Sequence, residues 1–275
     1  MFSKKRLQTA LPYIILTIIG IMFFIPLLWM LFASFDAHAT LSIEWPEEFT
    51  LDNWTQLLTD PDILRAFAIG VFLSLGSSLL LVFVSALAAY PLSRYHLKHK
   101  NSIILTILFM SGLPMTAIMV PVYQLFVFFN LNDSLIATML FLSASGLPYG
   151  IWLMKNFIDS VPVTLEESAW IDGASVLVGL RKVIAPLMKP GIFTVLIFTF
   201  TNSWGNFFVP FILIQSVEKL PASVTIFQFF GQHGMVFYGQ LAAFSFVYTI
   251  PVIILYFMGQ KYMSQGFSLG GASKG

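Results

Sequence analysis

Residues 66–92 read AFAIGVFLSLGSSLLLVFVSALAAYPL. No side chain in this run carries a formal charge, and about 20 such residues are what a helix needs to cross the hydrocarbon core of a bilayer. Further stretches of the same character occupy 11–35, 103–128, 135–154, 190–214 and 241–260. A chain inside lipid must satisfy its backbone as a helix or as a closed barrel. The stretches lack the period-2 alternation of barrel strands, so each reads as a helix. The expectation is an all-α membrane protein with six transmembrane helices, forming a single transmembrane domain over 1–275. Pro26, Pro114, Pro121, Pro148, Pro210 and Pro251 lie inside these spans and predict kinks held by neighbouring helices.

Composition agrees. Hydrophobic residues make up 57% of the chain and charged residues 10%, against about 25% charged in soluble domains. The net charge of +1 gives no reason to expect a nucleic-acid partner. The absence of Cys removes disulfides, thiolate metal sites and Cys nucleophiles. The first stretch follows Lys4, Lys5 and Arg6, as a signal peptide would, but its apolar run exceeds the roughly 7–15 residues of a signal core and reads as a retained span. With the N-terminus inside, the inner segments hold Lys4, Lys5, Arg6, Arg94, Lys98, Lys100, Lys155, Arg181, Lys182, Lys189, Lys261 and Lys274, and the outer ones only Arg65 and Lys219. That bias predicts two cytoplasmic termini. Segment 36–64 is acidic instead, and reads as outside. Asn53-Trp-Thr55 and Asn132-Asp-Ser134 match the glycosylation pattern, which is common by chance.

The longest polar stretch between two spans is 155–189. Thr164-Leu-Glu-Glu167 reads as a capping box opening a short helix, with Glu166 and Glu167 well placed against its positive end. The helix should run to about Asp172 and end at Gly173 in a left-handed turn. A second helix over about 175–185 should carry Val176, Leu180, Val183 and Ile184 on one side and stop at Pro186. The spacing is Glu167-Ser168-Ala169-x3-Gly173-x9-Val183-x-Ala185-Pro186.

That run resembles the cytoplasmic coupling motif of ABC importer permeases, Glu-Ala-Ala-x3-Gly-x9-Ile-x-Leu-Pro. The likeness extends over nearly the whole chain and is closest to the permease subunits of carbohydrate-uptake ABC importers of the maltose type. Trp45-Pro46-Glu47-Glu48-Phe49-Thr50-Leu51-Asp52-Asn53-Trp54 resembles that family's first outside loop, and Ala88-Ala89-Tyr90-Pro91-Leu92-Ser93-Arg94 its exit from span two. Pro121-Val-Tyr123, Asn130-Leu131-Asn132-Asp133-Ser134 and the C-terminal Gly266-x3-Gly270-Gly271-Ala272 are similar as well. Ser203-Trp204-Gly205-Asn206-Phe207 departs, with Gly and Asn where the family shows Asn and an acidic residue. The resemblance implies a bacterial cytoplasmic-membrane protein that pairs with a second permease subunit. It also implies two ATPase subunits, which bind ATP and Mg, and an extracytoplasmic solute-binding protein touching the loop 215–240. The coupling residues would be Thr164, Glu166, Glu167, Ser168, Ala169, Asp172, Gly173 and Pro186.

The spans carry no ionisable group well inside them, which argues against proton or sodium coupling and suits a neutral substrate. No Gly-x4-Gly-Lys-Ser/Thr phosphate loop occurs, so no catalytic residue and no cofactor are expected in this chain. Sugars are held by aromatic faces, amides and hydroxyls. Tyr123, Gln124, Ser143, Ser145, Tyr149, Thr199, Asn202, Ser203, Trp204 and Asn206 are the candidates, and helix–helix contact is the competing role for each. Gly146 and Pro148 could open the backbone of span four beside them. His96-x-x-His99 reads as a basic loop, and no metal site is expected. The expected function is inward passage of a sugar, an oligosaccharide in particular. An importer of another polar solute such as glycerol phosphate, or a stand-alone channel or carrier, is the alternative.

Overall fold

A computed structural model describes the backbone of residues 4–230 and 236–271 and the side chains of residues 11–230 and 236–260. Every regular element among them is helical. In chain order these are α1 (Lys4–Ser34), α2 (Asp52–Thr59), α3 (Pro61–Arg94), α4 (Lys100–Ser111), α5 (Met115–Phe128), α6 (Leu135–Asp159) and α7 (Val163–Ile171). Then follow α8 (Val176–Gly179), α9 (Ala185–Leu187), α10 (Lys189–Trp204), α11 (Phe208–Leu213), α12 (Ala222–Thr225) and α13 (Tyr238–Gly271).

Four helices are long and apolar enough to cross a membrane: Leu11–Ser34, Pro61–Arg94, Leu135–Asp159 and Tyr238–Gln260. Two bent pairs raise the number to six if each pair is one span. The first is α4 with α5, bent by 91° where the sequence suggests one helix over 103–128. Pro114 lacks an N–H and pushes Leu113 out of the helical region, and Gly112 closes α4 by donating to the carbonyl of Phe109. The second is Val176–Leu187 with α10, bent by 76°. The expected span 190–214 is likewise interrupted, because α10 stops at Trp204 and α11 restarts at Phe208. Other prolines are absorbed: Pro91, Pro121, Pro148 and Pro251 lie within uninterrupted helices.

The chain forms two compact units, Met1–Leu64 with Thr225–Ile250, and Arg65–Val224 with Pro251–Gly275. In the first, the Asn53 amide donates to the carbonyls of Ser34 and Asp36 at 3.3 and 3.0 Å. Gly239 leaves room for it, since a Cβ there would lie 2.4 Å from Asn53 Nδ2. Trp54 packs on Phe35 and Phe246. Asn53 and Trp54, part of a possible glycosylation site in the sequence, are therefore internal fasteners of this unit.

The second unit has two apolar interiors. One gathers Leu81, Ala89, Tyr90, Met154, Ile158, Val161, Ile184, Met188 and Val195. The other gathers Leu73, Met119, Phe126, Ala137, Leu142, Val209, Leu213 and Ile214. Small residues let the helices approach closely. Leu81 seats against Gly146 and Gly150, one turn apart on α6, where a Cβ on either glycine would lie 2.5 Å from a Leu81 methyl. The notch explains the glycine of the predicted backbone opening: α6 runs through Gly146 and Pro148 unbroken, and Gly146 serves packing.

Candidate functional site

The segment expected to couple, 155–189, is built around α7 and the helical run that follows it. Pro162 precedes α7 and its side chain makes no cap. The helix therefore starts at Val163, and Thr164 falls inside its first turn instead of capping it. The predicted capping box is not formed. Ser168 Oγ instead donates to the Thr164 carbonyl at 2.8 Å. The C-terminus follows expectation. Gly173 has φ +84°. Its N–H reaches the Trp170 carbonyl at 3.0 Å, and the Ala174 N–H reaches that of Ala169 at 2.9 Å. These two bonds are a Schellman closure.

The second helix runs Val176–Leu187 and passes through Pro186, which was expected to end it. A π-helical turn at Leu180–Ile184, closed by the Ala185 N–H donating to Leu180, accommodates the residue without an N–H. The chain bends only at Met188, before Pro190. Leu180 and Val183 are partly covered and Ile184 is buried, but Val176 is exposed.

Two adjacent glutamates take opposite roles. Glu167 is exposed with Thr164, Ser168, Asp172 and Pro186, while Ala169 is half-buried. Glu166, named with Glu167 among the coupling residues, is only 1% exposed. Its carboxylate pairs with Arg94 Nε and accepts from Tyr90 Oη at 3.1 Å. Arg94 Nη2 also donates to the Val161 carbonyl at 2.9 Å, and Arg94 Nη1 to Ser93 Oγ at 3.2 Å. Ser93 in turn donates to Asp159, which pairs with Lys155. The ends of α3 and α6 and the first turn of α7 thus share one polar cluster. Tyr90 and Arg94 entered the sequence reading only within the exit from span two and, for Arg94, as an inside charge, so their part in this cluster was missed. A basic residue at the end of one span with an acidic one in the next inner segment is the signal that pointed there.

Around Ile171, 86% exposed, and Leu177, 71% exposed, the same segment presents apolar side chains outward. Exposed apolar side chains beside exposed carboxylates form a surface suited to seating in another protein.

A second polar cluster lies at the opposite end of α6. Asp133, at φ +61°, accepts from the amides of Gln215 and Ser216 at 3.0 and 2.9 Å, from Ser216 Oγ at 2.6 Å and from Lys219 Nζ at 2.6 Å. The Lys219 ammonium, then the Ser216 hydroxyl and amide, hold its carboxyl well below the usual carboxylate range. Ser216 and Lys219 therefore have a structural use.

The substrate candidates divide by exposure. Ser143 and Ser203 are buried. Ser143 Oγ donates to the Ser77 carbonyl at 3.1 Å and Ser77 Oγ to Ser203 Oγ at 2.9 Å, which ties α3, α6 and α10 together. Trp204 is buried against Phe200, Phe67 and the bare Cα of Gly70. Asn206 Oδ1 accepts from the Val209 amide at 2.9 Å, holding the first turn of α11, and its carbonyl accepts from Ser223 Oγ. Thr199 donates to the Val195 carbonyl of its own helix. Ser145, Tyr149 and Asn202 are exposed. Ser145 and Tyr149 share one face of α6, Phe198 and Asn202 one face of α10, and the rings of Tyr149 and Phe198 meet at 6.5 Å. Tyr123 and Gln124 are exposed on α5, and Tyr123 Oη accepts from Gln215. The structure does not join them to the Tyr149 face. Of the expected binding-protein loop, residues 231–235 lie outside the described residues, as do the side chains of the C-terminal glycine-rich motif.

Residues 82–268 match the family described as "Binding-protein-dependent transport system inner membrane component". The chain is 31% identical over 277 residues to the sulfoquinovosyl glycerol transport system permease protein SmoH of Agrobacterium fabrum, spanning 98% of this chain and 94% of that one. It is 28% identical over 289 residues to the glucose import system permease protein GlcU of Saccharolobus solfataricus, spanning 100% of each. In fold, it resembles a chain of a bacterial ABC transporter involved in the import of the acidic polysaccharide alginate, with a TM-score of 0.83, 21% identity, and 96% of this chain and 99% of that chain covered. The match covers most of the chain and includes α7 and α10, so this protein belongs to the binding-protein-dependent transport system inner membrane components, the multi-pass permease subunits of ABC importers.

Proposed function

We propose that the chain is one of two membrane subunits of a carbohydrate importer and passes a sugar, an oligosaccharide in particular, inward as a single six-span transmembrane domain. Two separate ATPase subunits would bind ATP and Mg and seat on α7. An extracytoplasmic binding protein would deliver the sugar. The observation that carries this reading is the α7 unit: a helix closed by the left-handed turn at Gly173, with exposed Glu167 and Ile171 and an inward Glu166. Motion imposed on such a helix reaches α3 through Arg94.

Several features support the rest. The segments assigned to the cytoplasm, at Arg94, Asp159 and Glu166, gather at one end of α6. Asp133 and Lys219, assigned outside, gather at the other. This supports termini on the cytoplasmic side. Tyr149, Ser145, Asn202 and Phe198 offer an aromatic ring, a hydroxyl and an amide on one exposed face. That is the chemistry that holds sugars, and this face is the proposed path. Similar permeases named for sulfoquinovosyl glycerol and glucose favour a glycoside or sugar over glycerol phosphate. An anionic sugar would need positive groups from the second permease. Family membership sets aside the stand-alone channel and carrier.

The test is affinity purification of the tagged chain from its native host in mild detergent with mass spectrometry, followed by uptake of a panel of neutral and acidic oligosaccharides by the reconstituted complex. Recovery of a second permease and an ATPase, with saturable ATP-dependent uptake of a sugar, is the expected result. An assembled complex that hydrolyses ATP but takes up no sugar would overturn the carbohydrate reading.

A further inference from the structure

The buried cluster at Glu166 uses ionisable groups that the docking surface does not need. Arg94 and Glu166 side chains are 6% and 1% exposed, so neither is available to a partner chain. Each is also fully engaged: Glu166 by Arg94 and Tyr90, Arg94 by Glu166, Val161 and Ser93. Removing two charges from water is costly, and a buried pair of this kind adds little net stability compared with apolar side chains of similar volume. What a buried ion pair does supply is a specific register, because either partner left alone is an uncompensated buried charge. Arg94 closes α3, a span, and Glu166 sits in the first turn of α7. The pair therefore joins the helix proposed to follow the ATPases to the end of a membrane-crossing helix, across 72 residues of sequence.

We infer that Arg94, Glu166 and Tyr90 form a latch that stays closed through the transport cycle and makes α7 and the end of α3 move as one body. The inference rests on the reading of α7 as the ATPase-docking helix. Glu166 is then a positioning residue: it transmits displacement to α3 and does not touch the ATPase. The neighbouring Glu167 is left to the partner.

Two measurements on the complete complex test this. The chain contains no Cys, so spin labels can be placed at His96→Cys, just beyond α3, and Val163→Cys, at the start of α7, both exposed positions outside the latch. The distance between them is expected to be the same in nucleotide-free and ATP-trapped complexes, while labels spanning α7 and an ATPase report the cycle. A change between the two states overturns the latch. The second measurement is the amount of sugar transported per ATP hydrolysed. Glu166→Gln is expected to lower it by about tenfold, the scale of a typical coupling free energy. The paired Arg94→Met/Glu166→Met variant removes the buried charges together, so it is expected to restore assembly and thermal stability while leaving the ratio low. If the paired variant transports as efficiently as the native chain, the pair is only structural and the inference fails. A thiol cross-linker at Ile171→Cys in the native background reports docking separately. Capture of the ATPase there, with a failed latch test, refutes the latch alone; no capture removes the docking reading beneath it.

Discussion

Gly173 provides a test of whether backbone geometry or packing sets the angle between α7 and the helix that follows. Its φ is +84°, and a Cβ built there has no atom within 4 Å. Any effect of Gly173→Ala is therefore conformational. The left-handed region costs an L-residue about 1–2 kcal/mol. A gain of about 0.4–1 kcal/mol from a stiffer unfolded chain offsets part of that. The net penalty, near 1 kcal/mol, corresponds to roughly a fivefold loss of the correctly turned population. Asn visits the left-handed region readily, so Gly173→Asn should be nearly silent although its side chain is larger than Ala. Gly173→Pro cannot reach φ +84° and loses the N–H that bonds Trp170, so the native turn is unavailable to it. The expected order of transport per ATP in proteoliposomes is Gly, then Asn close behind, then Ala, then Pro with coupling abolished, while assembly persists in all. Asn below Ala would show that space, not φ, controls the turn. Native transport by Gly173→Pro would refute the role of the turn altogether.

Asp133 predicts a distinct acid response. Its carboxyl is held below the usual range by Lys219 and Ser216, so its stabilising contribution is fully present above the unfolded value of about 3.9 and is lost as pH falls through the lower folded value. Thermal stability in detergent should decline below about pH 4, and Asp133→Asn should lower stability at neutral pH while flattening that acid limb. Trp204→Ala should cost about 3–5 kcal/mol through the cavity it leaves, read as a lower melting temperature, whereas Asn202→Ala should leave melting unchanged and alter uptake kinetics or sugar preference. Gly191→Ala should destabilise by about 1–3 kcal/mol, because its Cβ would meet Phe157 Cγ at 2.4 Å; an unchanged melting temperature would show that α6 and α10 separate easily.

Hydropathy made the apolar parts of four helices legible to within about five residues at either end, because burial in lipid imposes one composition along the whole span. The bends were less legible. Six prolines marked as kink sites look alike in sequence, yet α1, α5, α6 and α13 run uninterrupted through Pro26, Pro121, Pro148 and Pro251, while Pro114 and the unmarked Pro190 coincide with sharp turns. Gly112 beside Pro114, and the break at Met188 ahead of Pro190, are what distinguish the latter. The burial of Glu166 was illegible for a related reason. Thr164 looked like a cap, but Pro162 precedes a helix that starts at Val163, and each residue of shift turns a helical face by about 100°. With two glutamates in succession, that register alone decides which one enters the protein.

The polar residues of α3, α6 and α10 illustrate a limit that applies to membrane spans generally. Hydroxyls and amides there serve either substrate or neighbouring helices, and composition does not separate the two. Ser143, Ser203 and Trp204 turn inward, where the serines bond across helices and Trp204 closes over Gly70. Ser145, Tyr149 and Asn202 sit two or six residues from these, or one or two, and face outward. One residue of phase on α10, or two on α6, would turn Asn202 or Ser145 inward instead. The division therefore follows from the glycine notches that fix each helix's rotation: Leu81 against Gly146 and Gly150, and Phe157 against Gly191. Small residues buried between helices thereby determine which side chains reach the face proposed as the sugar path.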